Sequence, residues 1–115
     1  MAPRVDGHTM ARLRRGRKKP EARIDLHGMT LAQAHPALNR FIHDTHARGH
    51  RLVLVITGKG RAGDGAPFAE RGVLRRQVPI WLQSGATAGL VLQILPAHAR
   101  HGGEGAYYVY LRRRS

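Results

Sequence analysis

The sequence predicts an α/β two-layer sandwich: a four-stranded mixed sheet and two helices, in the order β-α-β-α-β-β. Three observations predict it. Residues 52–60 read Leu-Val-Leu-Val-Ile-Thr-Gly-Lys-Gly, an unbroken aliphatic run ending in a glycine turn, as expected of a strand buried on both faces. Two stretches, one opening at Thr30 and one near Gly72, repeat apolar residues at helical spacing. Two further strand-like runs, 90–95 and 106–112, have only a polar loop between them, so they should pair antiparallel.

In chain order, the first 23 residues hold eight cations (Arg4, Arg12, Arg14, Arg15, Arg17, Lys18, Lys19 and Arg23) against Asp6 and Glu21. With few apolar residues and no period, residues 1–22 are expected to be a basic arm that is disordered when free. The folded domain then takes 23–115. Either the arm makes non-specific phosphate contacts, with Arg14, Arg15, Arg17, Lys18 and Lys19 as the dense centre, or it is a solvated tail.

Ile24-Asp-Leu-His-Gly28 is a short alternating strand. Ile24 and Leu26 share one face and Asp25 and His27 the other, which sets a carboxylate beside an imidazole at a strand end. Such a pair can fix the imidazole tautomer and serve as general acid or base near neutrality. The plainer alternative is that Asp25 caps a turn and His27 is merely exposed.

Thr30 and Gln33 form a capping box, and Leu31, Ala34, Leu38, Phe41, Ile42 and Thr45 make an inward stripe that Gly49 ends. Pro36 inside this pattern predicts a kink or a later helix start. His43, His46 and His50 could share a helical face, but no carboxylate or cysteine joins them, so a solvated face is expected rather than a metal site. The second helix carries Leu74, Val78, Trp81 and Leu82, with Trp81 in register with the core stripe and a kink expected at Pro79. In the last strand Tyr107, Val109 and Leu111 share one face, and Tyr108, Tyr110 and Arg112 the other.

Residues 58–63, Gly-Lys-Gly-Arg-Ala-Gly, match a dinucleotide fingerprint in spelling only. A loop sequence rather than a helix start follows, and no acid lies about 20 residues on to hold a ribose. No Ser or Thr follows Gly58-Lys59 to complete a nucleoside-triphosphate loop. What remains is a turn in which Gly58, Lys59, Gly60 and Arg61 could cradle a backbone phosphate. In open α/β sheets ligands bind beyond the carboxyl ends of the strands, where Asp25, His27, Lys59 and the loop from His101 could converge into a cationic crevice suited to phosphodiester cleavage.

Composition narrows the partner. The 115 residues hold 20 Lys and Arg against 7 Asp and Glu, a formal charge of +13, with an ordinary apolar fraction of 42%. The excess favours a polyanion, and nucleic acid ranks ahead of a membrane because no amphipathic anchor or lipidation signal accompanies it. There is no cysteine, which removes disulfides, thiolate metal sites and cysteine nucleophiles and is compatible with the cytoplasm.

Asp25-Leu-His-Gly28, Thr57-Gly-Lys-Gly60 and His101-Gly-Gly-Glu-Gly-Ala-Tyr-Tyr-Val-Tyr-Leu-Arg112, in this order and spacing, resemble the Smr (small MutS-related) domain over about residues 22–113. The resemblance implies a fold like the carboxyl-terminal domain of a bacterial translation initiation factor. It also implies nucleic-acid binding and, as in many members, endonuclease activity: nicking or junction cleavage of DNA, a DNA repair setting, or RNA cleavage at stalled ribosomes. By motif, Asp25 and His27 match the element associated with cleavage, and Gly58, Lys59 and Gly60 the turn proposed to hold the backbone. His101, Gly102 and Gly103 open the third motif. The two expected functions are an endonuclease acting on DNA or RNA, with any Mg2+ or Mn2+ weakly held, and a non-catalytic nucleic-acid or ribosome-binding module.

Overall fold

The computed structural model describes residues 19–58, 72–98, 101 and 105–114. Its elements are β1 (Ala22–Asp25), α1 (Leu31–Ala47), β2 (Leu52–Ile56), α2 (Val73–Leu82), a 3-10 turn (Gly85–Thr87), β3 (Val91–Pro96) and β4 (Ala106–Leu111). The strands form one sheet in the order β1-β2-β4-β3. β1 runs parallel to β2, with Ala22 opposite Val53 and Asp25 opposite Ile56. β4 is antiparallel to both neighbours, pairing Leu54 with Tyr108 on one side and Leu95 with Tyr108 on the other. This is the expected four-stranded mixed sheet with two helices. The 3-10 turn and a register shift between Val91 and Gln93 are additions that the sequence did not announce.

Each helix end has a local cause. Thr30 Oγ accepts from the Gln33 amide at 3.2 Å while Gln33 Oε1 accepts from the Thr30 amide at 3.0 Å, closing the capping box. At the other end Gly49, at φ 82°, places its amide on the His46 carbonyl and the His50 amide on the Thr45 carbonyl, a Schellman stop that a side chain at that φ would strain. α1 starts at Leu31 and continues through Pro36, so the later start is not what the chain does; Ala32, whose carbonyl loses its partner, and Pro36 are both exposed.

α2 also continues through its proline, and here the sheet supplies the remedy. Pro79 cannot donate to the Arg75 carbonyl four residues back. The Tyr107 hydroxyl on β4 donates to that oxygen instead, at 2.9 Å. Thr87 Oγ donates to the Trp81 and Leu82 carbonyls at 3.1 and 3.3 Å, serving the helix end in the same way. Trp81 is half-buried against the core, as its register predicts, with its ring stacked on His35 at 4.4 Å.

The strand alternation sorts the apolar residues into two clusters. On the helix side, Leu26, Leu38, Ile42, Val53, Val55, Val78, Leu82, Val109 and Leu111 form the main core. On the opposite side Leu52, Leu54, Ala97, Ala106 and Tyr108 form a smaller one, beside partly buried Ile56, Leu92, Leu95 and Tyr110. β2 is therefore buried on both faces although helices cover only one. Its start is tied to the incoming chain: Glu21 Oε1 accepts from the Arg51 and Leu52 amides at 2.6 and 3.0 Å, and the Glu21 amide donates to the Leu52 carbonyl. The sheet thus begins at Ala22, inside the segment that the sequence assigns to the arm.

Candidate functional site

The Asp25-Leu26-His27-Gly28 element works as one unit. The Leu26 amide extends the β1–β2 ladder to the Ile56 carbonyl at 2.7 Å, and its side chain is fully buried on the helix side. Anchoring Leu26 turns Asp25 and His27 toward the opposite side. The chain then reverses: the Met29 amide donates to the Leu26 carbonyl at 3.1 Å, and Gly28 takes φ 80°, a value that disfavours any residue with a Cβ. Asp25 Oδ1 accepts from the His27 amide at 3.0 Å and lies 2.5 Å from His27 Nδ1. The same carboxylate therefore caps the turn and contacts the ring. Both side chains stay about half exposed, 48% for Asp25 and 53% for His27. A proton on Nδ1 toward the carboxylate makes Nε2 the basic nitrogen of His27.

The second motif is pinned to the third by a single oxygen. The Gly105 carbonyl accepts from the Thr57 amide at 2.8 Å, the Gly58 amide at 3.1 Å and the Thr57 hydroxyl at 3.3 Å. Thr57 is buried and Gly58 stands at φ 79°. The sequence offers Gly58 as a donor to phosphate, but its amide is already committed to Gly105; its part is to shape the turn. Lys59, Gly60, Arg61, Gly102, Gly103 and the arm residues Arg14, Arg15, Arg17 and Lys18 lie outside the described residues.

His101 is held from below. Tyr108, 1% exposed, brings its hydroxyl to 2.5 Å from His101 Nδ1, and the two rings meet edge to face at 5.5 Å. The His98 amide donates to the same hydroxyl at 3.2 Å, so one oxygen ties both histidines to β4. Burial raises the Tyr108 hydroxyl above its ordinary 10.0, and the His98 amide offsets part of that rise.

Asp25 pairs with Ile56, and Arg23 with Leu54, which in turn pairs with Tyr108. The acid–histidine pair and the Tyr108–His101 pair therefore lie on the same side of the sheet, away from the helices. The sequence brought Asp25, His27 and His101 forward but passed over Arg23, Leu54 and Tyr108. Arg23 was within reach, since it continues the Asp25–His27 alternation by one step; the role of Tyr108 depends on contacts that no spacing encodes. Lys19 is exposed near the start of β1. Among the described residues no three His, Cys, Asp or Glu stand together as metal ligands, the His43, His46 and His50 series included. No helix among them is long and apolar enough to cross a membrane.

Comparison with known proteins gives the chain its family. An uncharacterized protein of Treponema pallidum (strain Nichols) is 38% identical over 105 residues, covering 87% of this chain and 48% of that protein. The ribosome rescue factor SmrB of Escherichia coli O157:H7 is 30% identical over 109 residues, covering 95% of this chain and 52% of its own length. The chain thus spans about half the length of these curated relatives. Among solved structures, YdaL, a stand-alone small MutS-related protein from Escherichia coli, superposes with a TM-score of 0.72 at 30% identity, over 98% of this chain and 82% of that one. The Smr domain model matches residues 24–112, which takes in the Asp25–His27 turn, the Thr57–Gly58 turn and β4 alike, and the chain belongs to the Smr domain family.

Proposed function

We propose that this protein binds nucleic acid and cleaves its phosphodiester backbone, with His27 as general base and Asp25 as the group that orients it. The observation that carries this reading is the 2.5 Å approach of Asp25 Oδ1 to His27 Nδ1 on a half-exposed turn. In an RNA strand, Nε2 of His27 takes the proton of a 2′-hydroxyl, whose oxygen attacks the adjacent phosphorus. The bond to the 5′-oxygen breaks, leaving a 2′,3′-cyclic phosphate and, once that oxygen is protonated, a 5′-hydroxyl. In DNA, which lacks the 2′-hydroxyl, the same base must activate a water. The developing negative charge on phosphorus is stabilised by nearby cations, for which Lys59, Arg61 and the arm are the proposed sources. Asp25 is the carboxylate that the described residues place beside His27, so a Mg2+ or Mn2+ ion used here would be held weakly and chiefly by substrate.

The test uses the full chain on supercoiled plasmid and on single-stranded RNA, each with Mg2+, with Mn2+ and with chelator. Cleavage of at least one substrate is expected, and His27→Ala should abolish it while nucleic-acid affinity stays within about twofold. Wild-type cleavage by His27→Ala would remove His27 from the chemistry.

A second reading rests on the relatives named ribosome rescue factor. Here the protein acts on or beside ribosomes in the cytoplasm, and the basic arm supplies much of the attraction through phosphate contacts. Removing residues 1–18, which spares Lys19 and the Glu21 clamp, should then weaken binding to ribosomes or RNA about tenfold and flatten its salt dependence. Unchanged affinity would reduce the arm to a solubility tail.

A further inference from the structure

On the same side of the sheet as the acid–histidine pair, reaching Arg23 two residues before Asp25, lies a hollow of about 390 Å3. Pro20, Ala22 and the small accessible part of Leu54, which is 4% exposed, contribute apolar surface, Lys19 and Arg23 contribute cations, and Glu21 and His101 complete the lining. The Glu21 carboxylate oxygen that caps β2 is engaged by the Arg51 and Leu52 amides, so part of its charge is already answered there. Arg23 precedes Asp25 by two residues on β1, which places it about 6.6 Å along the strand. That is on the order of one repeat of an extended polynucleotide backbone.

We propose that this hollow is a subsite for one unstacked nucleotide, adjacent to the scissile bond. The phosphate lies against Lys19 and Arg23, and the base against Leu54 and the His101 ring, which Tyr108 holds in place. The subsite rests on the reading of the protein as a nuclease. It deepens that reading by fixing the substrate class as a strand with an unpaired base, because a base kept in a duplex stack cannot enter a pocket. Three features support the assignment. The volume lies in the range of small-ligand sites, and the lining combines apolar surface with a few polar groups, as such sites do. A flat base gains from apolar and ring contacts whatever its sequence, so the site selects unpaired strands without reading bases. The rigid neighbour is already built: Tyr108 is fully buried and makes hydrogen bonds to both His98 and His101.

The experiment titrates the full chain with uridine monophosphate and with ribose 5-phosphate, which share the phosphate and differ in the base, following Leu54 methyl and His101 ring signals by NMR. The nucleotide should move both sets of signals and bind about tenfold more tightly than the sugar phosphate. Arg23→Ala, a change at an exposed residue, should weaken both ligands. In parallel, labelled single-stranded RNA and the same sequence as a duplex are compared by anisotropy, and the single strand should bind more tightly. Equal affinity for the two small ligands, or unmoved Leu54 methyls, overturns the subsite; if the oligonucleotide still binds, the nuclease reading stands without it. Failure of every nucleic-acid probe to bind overturns both.

Discussion

The two faces of the sheet are made by the same four strands and differ in almost everything else. The face under the helices is aliphatic and closed: Ile42, Val53, Val55, Val78 and Val109 are wholly buried there, and a polar contact on it, Tyr107 to the Arg75 carbonyl, mends a helix. The other face buries Leu54 and Tyr108 but borders them with Arg23, Asp25, His27 and His101. Alternation along β1 assigns neighbours to opposite tasks: Leu26 fastens the turn from one side while Asp25 and His27 are presented on the other. The acid–histidine pair thus stands on the face that helices leave uncovered, and the closed face is what keeps that face in register.

This contrast can be broken at either side. The largest effect is expected from Ile42→Ala, which empties part of the closed core and should cost about 2–5 kcal/mol in urea unfolding while leaving the affinity of the folded fraction for nucleic acid unchanged. A parallel loss of affinity in the folded fraction would mean that the faces are not independent. Next comes Asp25→Asn on the open face. The amide oxygen can still accept from the His27 amide, so the turn should lose less than about 1 kcal/mol, as expected for an exposed pair. Cleavage should fall about a hundredfold, because the ring loses the charge that orients and supports it. Undiminished cleavage would leave Asp25 as a turn cap alone.

The smallest effect is expected from Tyr108→Phe, which keeps the ring and removes the hydroxyl. It should cost about 1 kcal/mol and release His101, seen as a change in the pH profile of cleavage or in the His101 ring signals. Its pH dependence has a definite sign. The folded-state hydroxyl titrates above its unfolded value of 10.0, so its contribution is whole below pH 10 and is lost as pH rises through the folded value. The stability gap between wild type and Tyr108→Phe, measured by urea unfolding, should therefore narrow above pH 10. A gap that widens there would contradict the assignment.

Most of the fold was legible because it follows from local periods. The alternation in 106–111 named the two faces of β4, the capping box and Gly49 set the ends of α1, and the Asp25–His27 spacing gave the pair that the turn brings together. What escaped depends on partners far apart in the chain. Glu21 reaches the amides at Arg51 and Leu52, Gly105 receives Thr57 and Gly58, and Tyr107 reaches Arg75. Each joins residues 30 or more positions apart, and no local period records such a bond. At Pro79 the sequence predicts a kink; the hydroxyl that serves the Arg75 carbonyl comes from a strand whose placement had first to be known. The register shift near Leu92 sits in an even apolar run and leaves no trace in it.

The position of β4 has a consequence in time. Although it follows β3 in the chain, it lies between β2 and β3, and among the described residues β3 pairs with no other strand. While the protein is being synthesised, β1, α1 and β2 can associate early, but β3 has nothing to join and the inner edge of β2 stays open. Gly105 and Tyr108 arrive together with β4, so the clamp on the Thr57 turn and the support beneath His101 form only once residues 105–111 have left the exit tunnel. A nascent chain halted before that point carries the acid–histidine pair without the Tyr108 support and the Gly105 clamp on the same sheet.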